Sequence, residues 1–374
     1  MTIQKKLIKH LSNIPGWRTR RKIVVIESDD WGSIRMPSLE TFESLKAKGL
    51  DLTSGDASRY NLNDTLASAE DLAALFEVLK SVKDKNGRNA VFTPCCIVAN
   101  PDFEKIEAND FQEYFYEPFT ETLNRYKHEN AFALWQQGIK ESLFVPEFHG
   151  REHLNVPIWL RALQSNDSNA LLAFKHQMWG FKNTNMRGIS YQEAFAPGFA
   201  KDIDFHKNSI QEGLQLFNDL FGYQAGLLVP PNGAFYKELE NYSAGKGIRF
   251  ISKSKIQKER LIDGESKKSF YWLGKTNKLG QIYITRNVSF EPNYPGWDWI
   301  KSAMNDIEVA FTWNKPAILT THRTNYIGSL TISNREHGLS ILTGLLKSVA
   351  QKWPEVEFMS SAELNNLIAE SRSK

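Results

Sequence analysis

Short apolar runs alternate with segments of helical periodicity along most of the chain. Runs typical of buried strands occupy residues 23–28, 91–98, 143–148, 225–229, 248–252, 281–285, 317–321 and 356–359. Apolar residues recur at helical spacing within 67–82, 131–141, 155–163, 207–221 and 333–351. Ser360 and Glu363 have the spacing of a capping box for one last helix. This alternation predicts an α/β fold with about seven parallel strands.

Three less regular stretches interrupt the alternation. We expect them to be insertions, within 51–66, 100–142 and 165–205. No repeat or low-complexity linker divides the chain, so residues 1–374 are predicted to form a single catalytic domain with a basic N-terminal segment at 1–22.

The N-terminal segment carries seven basic residues and no acid, and one helical face of it is apolar. The apolar positions are Ile3, Leu7, Ile8 and Leu11. We expect the segment to pack on the body of the protein with its charges in water. Weak contact with a membrane surface is the alternative.

The composition argues against some classes of binding partner but does not identify a particular one. The 46 basic residues nearly balance the 43 acidic ones, and the net charge of +3 is no argument for nucleic acid. The 10 Trp, 12 Tyr and 23 Phe residues suit a carbohydrate substrate, although most of them are expected in the core. Cys95 and Cys96 are neighbours on a strand, point to opposite faces, and are expected to be buried inert thiols. No signal-peptide pattern and no transmembrane run is found, which predicts a cytoplasmic protein.

Residue types that bind metals follow several of the apolar runs. Asp29 and Asp30 follow the first run, His149 and His153 follow the run at 143–148, and His322 follows the run at 317–321. The carboxyl ends of parallel strands meet at one edge of a sheet, where α/β barrels place their chemistry. One carboxylate and two imidazoles suit a divalent transition metal such as zinc. The pattern predicts a metal-dependent hydrolase.

These motifs resemble those of the polysaccharide deacetylases of carbohydrate esterase family 4, which have the NodB-homology fold. The segment Glu27-Ser-Asp-Asp-Trp-Gly32 stands where that family has Thr-Phe-Asp-Asp-Gly, and His149-Gly-Arg-Glu-His153 matches the family spacing His-Ser-x-x-His. Ile318-Leu-Thr-Thr-His322 resembles the family's late Leu-x-His motif with one extra residue. The resemblance spans residues 20–365 and implies a distorted (β/α) barrel of the glycoside hydrolase/deacetylase type.

The resemblance also implies a role for each motif residue. Asp29 would be the catalytic base, and Asp30, His149 and His153 would hold the metal. His322 would be the acid that protonates the leaving group. The metal is expected to be zinc, with cobalt, nickel, manganese and iron as alternatives.

The third family motif is incomplete in this chain. Leu228-Val-Pro-Pro-Asn-Gly233 keeps the Pro and Gly but lacks the Arg that orients the catalytic Asp in the family. Arg286 and Arg151 are the two candidates to replace that Arg. The other residues predicted to line a substrate groove are Trp31, Pro231, Asn232, Gly233, Trp297 and Asn325.

The expected activity is removal of an N-acetyl group from an amino sugar in a glycan or glycan precursor. The alternatives are an O-acetyl esterase or another metal-dependent carbohydrate hydrolase, and a catalytically inactive glycan-binding protein. The sequence leaves open the sugar, its linkage and the oligomeric state.

Overall fold

The computed structural model describes residues 3–54, 57–183, 188–260 and 266–372. The helices of this part of the chain are α1 (Ile3–Asn13), α2 (Leu39–Ala47), α3 (Ala57–Asn63), α4 (Ala69–Lys80), α5 (Phe103–Ala108), α6 (Phe119–Arg125), α7 (Ala131–Lys140), α8 (Val156–Gln164), α9 (Ser168–Phe174), α10 (Asp202–Phe221), α11 (Lys237–Gly245), α12 (Trp299–Thr312), α13 (Ile332–Lys352) and α14 (Ser361–Glu370). Two short 3₁₀ turns lie at Pro231–Gly233 and Arg323–Asn325.

The described strands form one large parallel sheet and two small antiparallel pairs. They are β1 (Ile23–Trp31), β2 (Phe92–Ile97), β3 (Ala99–Pro101), β4 (Tyr116–Pro118), β5 (Glu147–Gly150), β6 (Leu227–Leu228), β7 (Phe250–Ser252), β8 (Ile256–Arg260), β9 (Ser266–Phe270), β10 (Ile282–Ile284), β11 (Val288–Ser289), β12 (Ala317–His322) and β13 (Glu357–Phe358). Neighbouring strands of the large sheet follow the order β10-β7-β6-β5-β2-β1-β12-β11, and β13 pairs with the start of β1. The two antiparallel pairs are β3–β4 and β8–β9.

The large sheet curls into a barrel, and the chain connectivity requires this curl. β10 and β11 are the two ends of the strand order, yet only residues 285–287 separate them in sequence. Such a link spans at most about 14 Å, whereas the outer strands of eight laid flat would lie roughly 34 Å apart. The predicted distorted (β/α) barrel is therefore confirmed, and the described residues form nine strands of the large sheet where about seven were expected.

Burial explains why the first apolar run is continuous. β1 pairs with β12 on one side and with β2 on the other, and all nine of its residues are buried. A strand in the middle of a parallel sheet with helices around it presents both faces to the core, so apolar side chains are favoured at successive positions. The polar residues appear only at its carboxyl end, where the strand opens towards a cavity.

Most of the predicted elements are present with small shifts at their ends. The helix predicted at 155–163 is α8, with Asn155 as its N-cap and a proline in its first turn. The capping box of Ser360 and Glu363 is present at the start of α14. The sequence did not indicate the very short strand β11, the antiparallel strand pairs β3–β4 and β8–β9, or the helices α2, α3, α5, α6, α9, α11 and α12. The apolar run at 143–148 also forms a strand only from Glu147 onward.

The basic N-terminal segment packs on the body through one side of α1. Lys9 pairs with Asp306, and the indole of Trp313 donates a hydrogen bond to His10. The apolar side chains of Leu7, Ile8 and Leu11 instead remain more than half exposed. Within the described ranges, no helix is both long and apolar enough to cross a membrane.

Candidate metal centre and catalytic site

A local irregularity in β1 brings two adjacent carboxylates to one cavity. Neighbouring residues of a regular strand point to opposite faces. In β1 the pairing with β2 shifts register between Ser28 and Trp31, and Asp30 has a φ of 76°. Asp29 and Asp30 consequently both line the cavity at the carboxyl end of the barrel.

Asp30, His149 and His153 form a cluster with the composition of a metal site. The Oδ1 atom of Asp30 lies 3.1 Å from Nε2 of His153 and 3.5 Å from Nε2 of His149. One potential ligand atom from each residue lies within 4.8 Å of the others, and all three residues are buried. One carboxylate and two imidazoles can hold a divalent cation and leave positions open for other ligands.

The surroundings of the two histidines fit a metal. Nδ1 of His149 donates a hydrogen bond to the carbonyl oxygen of Val229 over 2.6 Å, which fixes the tautomer whose Nε2 carries a lone pair. That Nε2 is buried and has no hydrogen-bond partner among the described residues. The His153 ring stacks on Trp179 at 6.3 Å, and burial lowers the pKa of His153, which favours the neutral form that binds metals.

Asp29 is held by a two-pronged ion pair with Arg286. Nη1 and Nη2 of Arg286 donate to Oδ2 and Oδ1 of Asp29, each over 2.6 Å. Burial alone would raise the pKa of Asp29, but the Arg286 charge and hydrogen bonds hold it well below its usual range. The carboxylate is therefore ionised and fixed in orientation.

The sequence left open which arginine replaces the one missing from the third motif, and Arg286 is the arginine that lies beside Asp29. It lies in the link between β10 and β11, the two ends of the strand order. Its Nε donates to Glu27 over 2.6 Å, and its Nη1 donates to Thr320 over 3.0 Å. Arg151, the other candidate, pairs with Glu152 and Glu212 and does not line the cavity. The structure thus places Arg286, and not Arg151, beside Asp29.

His322 ends β12 directly across from Asp29. Its Nε2 lies 4.0 Å from Oδ2 of Asp29, and its Nδ1 hydrogen-bonds Oε1 of Glu291 over 2.6 Å. Burial would lower the pKa of His322, but the charge and hydrogen bond of Glu291, with smaller contributions from Asp30 and Asp29, raise it to about 9. His322 therefore carries a positive charge at neutral pH.

Glu291 is a site residue that the sequence did not indicate. Its second oxygen accepts hydrogen bonds from Arg59 over 2.7 Å and from the Asn325 amide over 2.8 Å. Burial favours its protonation, but His322 and Arg59 lower its pKa below the usual value. Glu291 lies two residues after β11. Because β11 has only two residues, it leaves no periodic pattern in the sequence that would have pointed to Glu291.

The cavity above these groups has a volume of about 1140 Å³. Asn232 and Gly233 line it as expected. Trp297 also lines it, is 60% exposed, and lies 6.1 Å from the ring of Trp299. The insertion at 51–66 contributes Tyr60, whose ring meets the His322 ring edge-on at 5.6 Å.

Three expected substrate contacts are corrected by the structure. Trp31 is 1% exposed and packs edge-on against Phe144 at 4.9 Å, so it belongs to the core and cannot stack on a sugar. Pro231 is buried and does not line the cavity. Asn325 is fully buried and orients Glu291, so any effect it has on the substrate is indirect.

Comparison with known proteins gives fold-level likeness only. No family model matches the chain, and no curated protein matches it. Among solved structures, the allantoinase PuuE has a TM-score of 0.48 at 10% identity over 93% of this chain and 90% of that one. A protein from Mycobacterium smegmatis assigned as a polysaccharide deacetylase has a TM-score of 0.46 at 11% identity over 96% and 94%. A CE4-family pseudoenzyme from Bacillus anthracis has a TM-score of 0.33 at 12% identity over 88% and 62%.

These scores lie below 0.5, and the identities are near 10%. Such likenesses carry no argument about activity. The class that the chain itself defines is an α/β protein with a parallel, barrel-forming sheet and a candidate Asp-His-His metal site at its carboxyl end.

Proposed function

We propose that this chain is a metal-dependent hydrolase that removes an N-acetyl group from an amino sugar in a glycan or glycan precursor. One observation carries the proposal. A three-residue cluster suited to a metal shares a cavity with an ionised carboxylate, Asp29, and a cationic imidazole, His322, whose nearest side-chain atoms are 4.0 Å apart. The motif resemblance to polysaccharide deacetylases supports the same reaction.

Each group has a distinct part in this proposal. Asp30, His149 and His153 would hold the cation, for which zinc fits the donor set well and cobalt, nickel, manganese and iron are alternatives. A divalent cation held there would supply Lewis-acid chemistry: it would polarise the acetamide carbonyl and make the attacking water more acidic. Asp29, kept ionised by Arg286, accepts the proton of the attacking water. His322 donates its Nε2 proton to the leaving nitrogen.

The charge on His322 favours an amide over an ester as the bond cleaved. An amine is a poor leaving group until its nitrogen is protonated, whereas an alkoxide from a sugar hydroxyl needs a proton less. Glu291 raises the pKa of His322 to about 9, so the proton is present throughout the neutral range. Acetate release that is matched by a new primary amine would support N-deacetylation, and acetate without an amine would indicate an O-acetyl esterase.

The cavity supports a carbohydrate as substrate. Its volume of about 1140 Å³ exceeds that of most drug-sized ligand pockets, roughly 300–1000 Å³. The exposed Trp297 and the partly exposed Trp299 at its rim offer aromatic faces of the kind that stack on sugar rings. A glycan of several residues would fill this space.

The metal requirement is the first test. Elemental analysis of the wild type is compared with that of the His149→Ala/His153→Ala variant, and with a His128→Ala/His337→Ala control that removes two histidines outside the cavity. About one metal per chain in the wild type and the control, but none in the site variant, would support the site. No metal in the wild type, even after reconstitution with zinc, would refute the mechanism and favour an inactive glycan-binding protein.

Weak contact of α1 with a membrane surface is a separate proposal. Leu7, Ile8 and Leu11 expose an apolar face on a segment rich in lysine and arginine. Co-sedimentation with phosphatidylserine-containing vesicles should exceed that with neutral vesicles, and Leu7→Ser/Leu11→Ser should abolish the difference. Equal sedimentation of both proteins would refute it.

A further inference from the structure

Arg35 places a nearly buried guanidinium in the wall of the cavity without a carboxylate partner. It is 7% exposed and lines the same cavity as the metal cluster. Its one hydrogen bond within the described residues is a long one, 3.4 Å from Nε to the side-chain oxygen of Asn61. It forms no ion pair in this part of the chain, so both terminal amino groups keep their donor capacity.

The guanidinium packs between two aromatic rings and a glycine. It lies 5.3 Å from the ring centroid of Tyr60 and 6.0 Å from that of Trp179. Gly180 packs against it so closely that a Cβ there would lie 2.6 Å from Nε and 2.9 Å from Cδ of Arg35. A side chain fixed by two rings and a glycine presents its donors with little further loss of conformational entropy.

Two nearby acids act on Arg35 through space but form no ion pair with it among the described residues. Asp64 acts on Arg35 electrostatically, but its carboxylate accepts a hydrogen bond of 3.0 Å from the buried Arg323. Asp30 belongs to the metal cluster, where a cation would cancel its charge. A buried charge without a paired anion is costly, and that cost is relieved if a ligand supplies the anion.

The rest of the cavity wall also has more positively than negatively charged side chains. Five basic side chains and three carboxylates line it. Arg286, Arg59 and Lys253 are paired with Asp29, Glu291 and Glu240, whereas the hydrogen bonds that Lys255 makes among the described residues go to the neutral oxygens of Ser12 and Asn13, each at 3.2 Å. With a divalent cation in the cluster, the cavity would carry a net positive charge and would attract anionic ligands.

We propose that Arg35 binds an anionic group, a carboxylate or a phosphate, on the sugar that carries the acetamido group. This inference rests on the proposed function, since it specifies the substrate class of the same site. Trp179 links the proposed anion site to the metal cluster. Its indole stacks on the ring of His153, a residue of that cluster, and lies beside the guanidinium of Arg35. The anionic group therefore belongs to the sugar whose acetamide is cleaved or to its immediate neighbour.

Equilibrium binding to the zinc-reconstituted protein tests the inference without requiring turnover. The probes are N-acetylglucosamine, N-acetylglucosamine 6-phosphate and N-acetylgalactosaminuronic acid, measured by titration calorimetry. We expect the wild type to bind at least one acidic probe about tenfold more tightly than the neutral one, as a charge-assisted bidentate contact would give. The tighter of the two acidic probes identifies phosphate or carboxylate as the preferred anion.

Three variants separate the anion site from general effects. Arg35→Gln should bring the ratio of acidic to neutral affinity close to one. Gly180→Ala should lower the same ratio without changing any charge, because the new methyl group displaces the guanidinium. Lys278→Gln removes an exposed lysine outside the cavity and should leave the ratio at its wild-type value.

The outcomes are distinguishable from failure of the deacetylase proposal. Equal affinity of the wild type for all probes, no binding of any probe, or a preference that survives Arg35→Gln would overturn the anion site. Acetate release is measured on the same samples. A preference that depends on Arg35 without any acetate release would uphold the anion site and refute the proposed reaction.

Discussion

Replacing Glu291 by Gln should shift the pH dependence of catalysis. Glu291 is the largest contributor that raises the pKa of His322, to about 9, through a contact of 2.6 Å to Nδ1. Gln keeps the size of the side chain and removes its charge. It also removes the carboxylate 2.7 Å from Nη1 of Arg59, so the positive charge of Arg59 is less compensated and acts in the same direction. The pKa of His322 should therefore fall to the ordinary value of about 6.5 or below.

The size of the effect follows from the fraction of His322 that carries a proton. At pH 8, a pKa of about 9 leaves roughly 90% of the imidazole protonated, whereas a pKa of about 6.5 leaves roughly 3%. If His322 is the acid, kcat/KM at pH 8 should fall about 30-fold in Glu291→Gln. The loss should shrink at pH 6, where most of the imidazole is protonated in both proteins.

The assay is kcat/KM for acetate release between pH 5 and pH 10, together with an NMR titration of the His322 ring. Glu308→Gln, which removes an exposed carboxylate, is the matched control.

Folding stability gives an independent check. A histidine whose pKa is raised on folding stabilises the protein fully below pH ~6.5 and loses this contribution as pH rises through about 9. The variant should thus be destabilised more at pH 6 than at pH 10. An alkaline limb that stays near pH 9 in Glu291→Gln would refute the role of this ion pair.

Three further predictions test the surrounding structure. Arg286→Met removes the ion-pair partner of the buried Asp29 carboxylate, so it should cost about 3–5 kcal/mol in unfolding free energy and lower kcat at least tenfold. Denaturant unfolding measures the first effect and steady-state kinetics the second. A change in unfolding free energy under about 1 kcal/mol would contradict the pairing. Trp31→Ala should cost about 3–5 kcal/mol in stability yet leave glycan affinity per folded molecule unchanged, because Trp31 is a core residue. Gly338→Ala should destabilise the protein by more than about 2 kcal/mol, since its Cβ would lie 1.7 Å from the carbonyl oxygen of Asn325; a wild-type melting temperature would show that α13 is placed differently.

The sequence predicted the parts of the site that follow long apolar runs. Asp29, Asp30, His149 and His322 come at the carboxyl ends of buried strands, and apolar runs of four or more residues are readable as strands. His153 was predicted as a site residue from its spacing to His149 and from the family resemblance. All five residues meet in one cavity.

The remainder of the site depends on features that periodicity does not record. Glu291 follows a strand of two residues. Arg286 lies in the short link between β10 and β11, and it reaches Asp29 because the sheet curls. That curl depends on long-range strand order, which a sequence pattern does not show. Arg35 and Tyr60 belong to segments without regular alternation, so only the folded chain shows that they line the cavity.

The pair Asp29-Asp30 shows how one backbone conformation gives adjacent identical residues different chemistry. In a regular strand one carboxylate would point into the barrel wall and could not share the cavity with the other. The left-handed conformation of Asp30, at a φ of 76°, turns its carboxylate to the histidines while that of Asp29 stays on Arg286. The same turn sends Trp31 into the core, which is why proximity to the motif in sequence wrongly suggested a sugar contact. Asp tolerates this conformation better than most residues, and strain held there by surrounding structure is typical of functional sites.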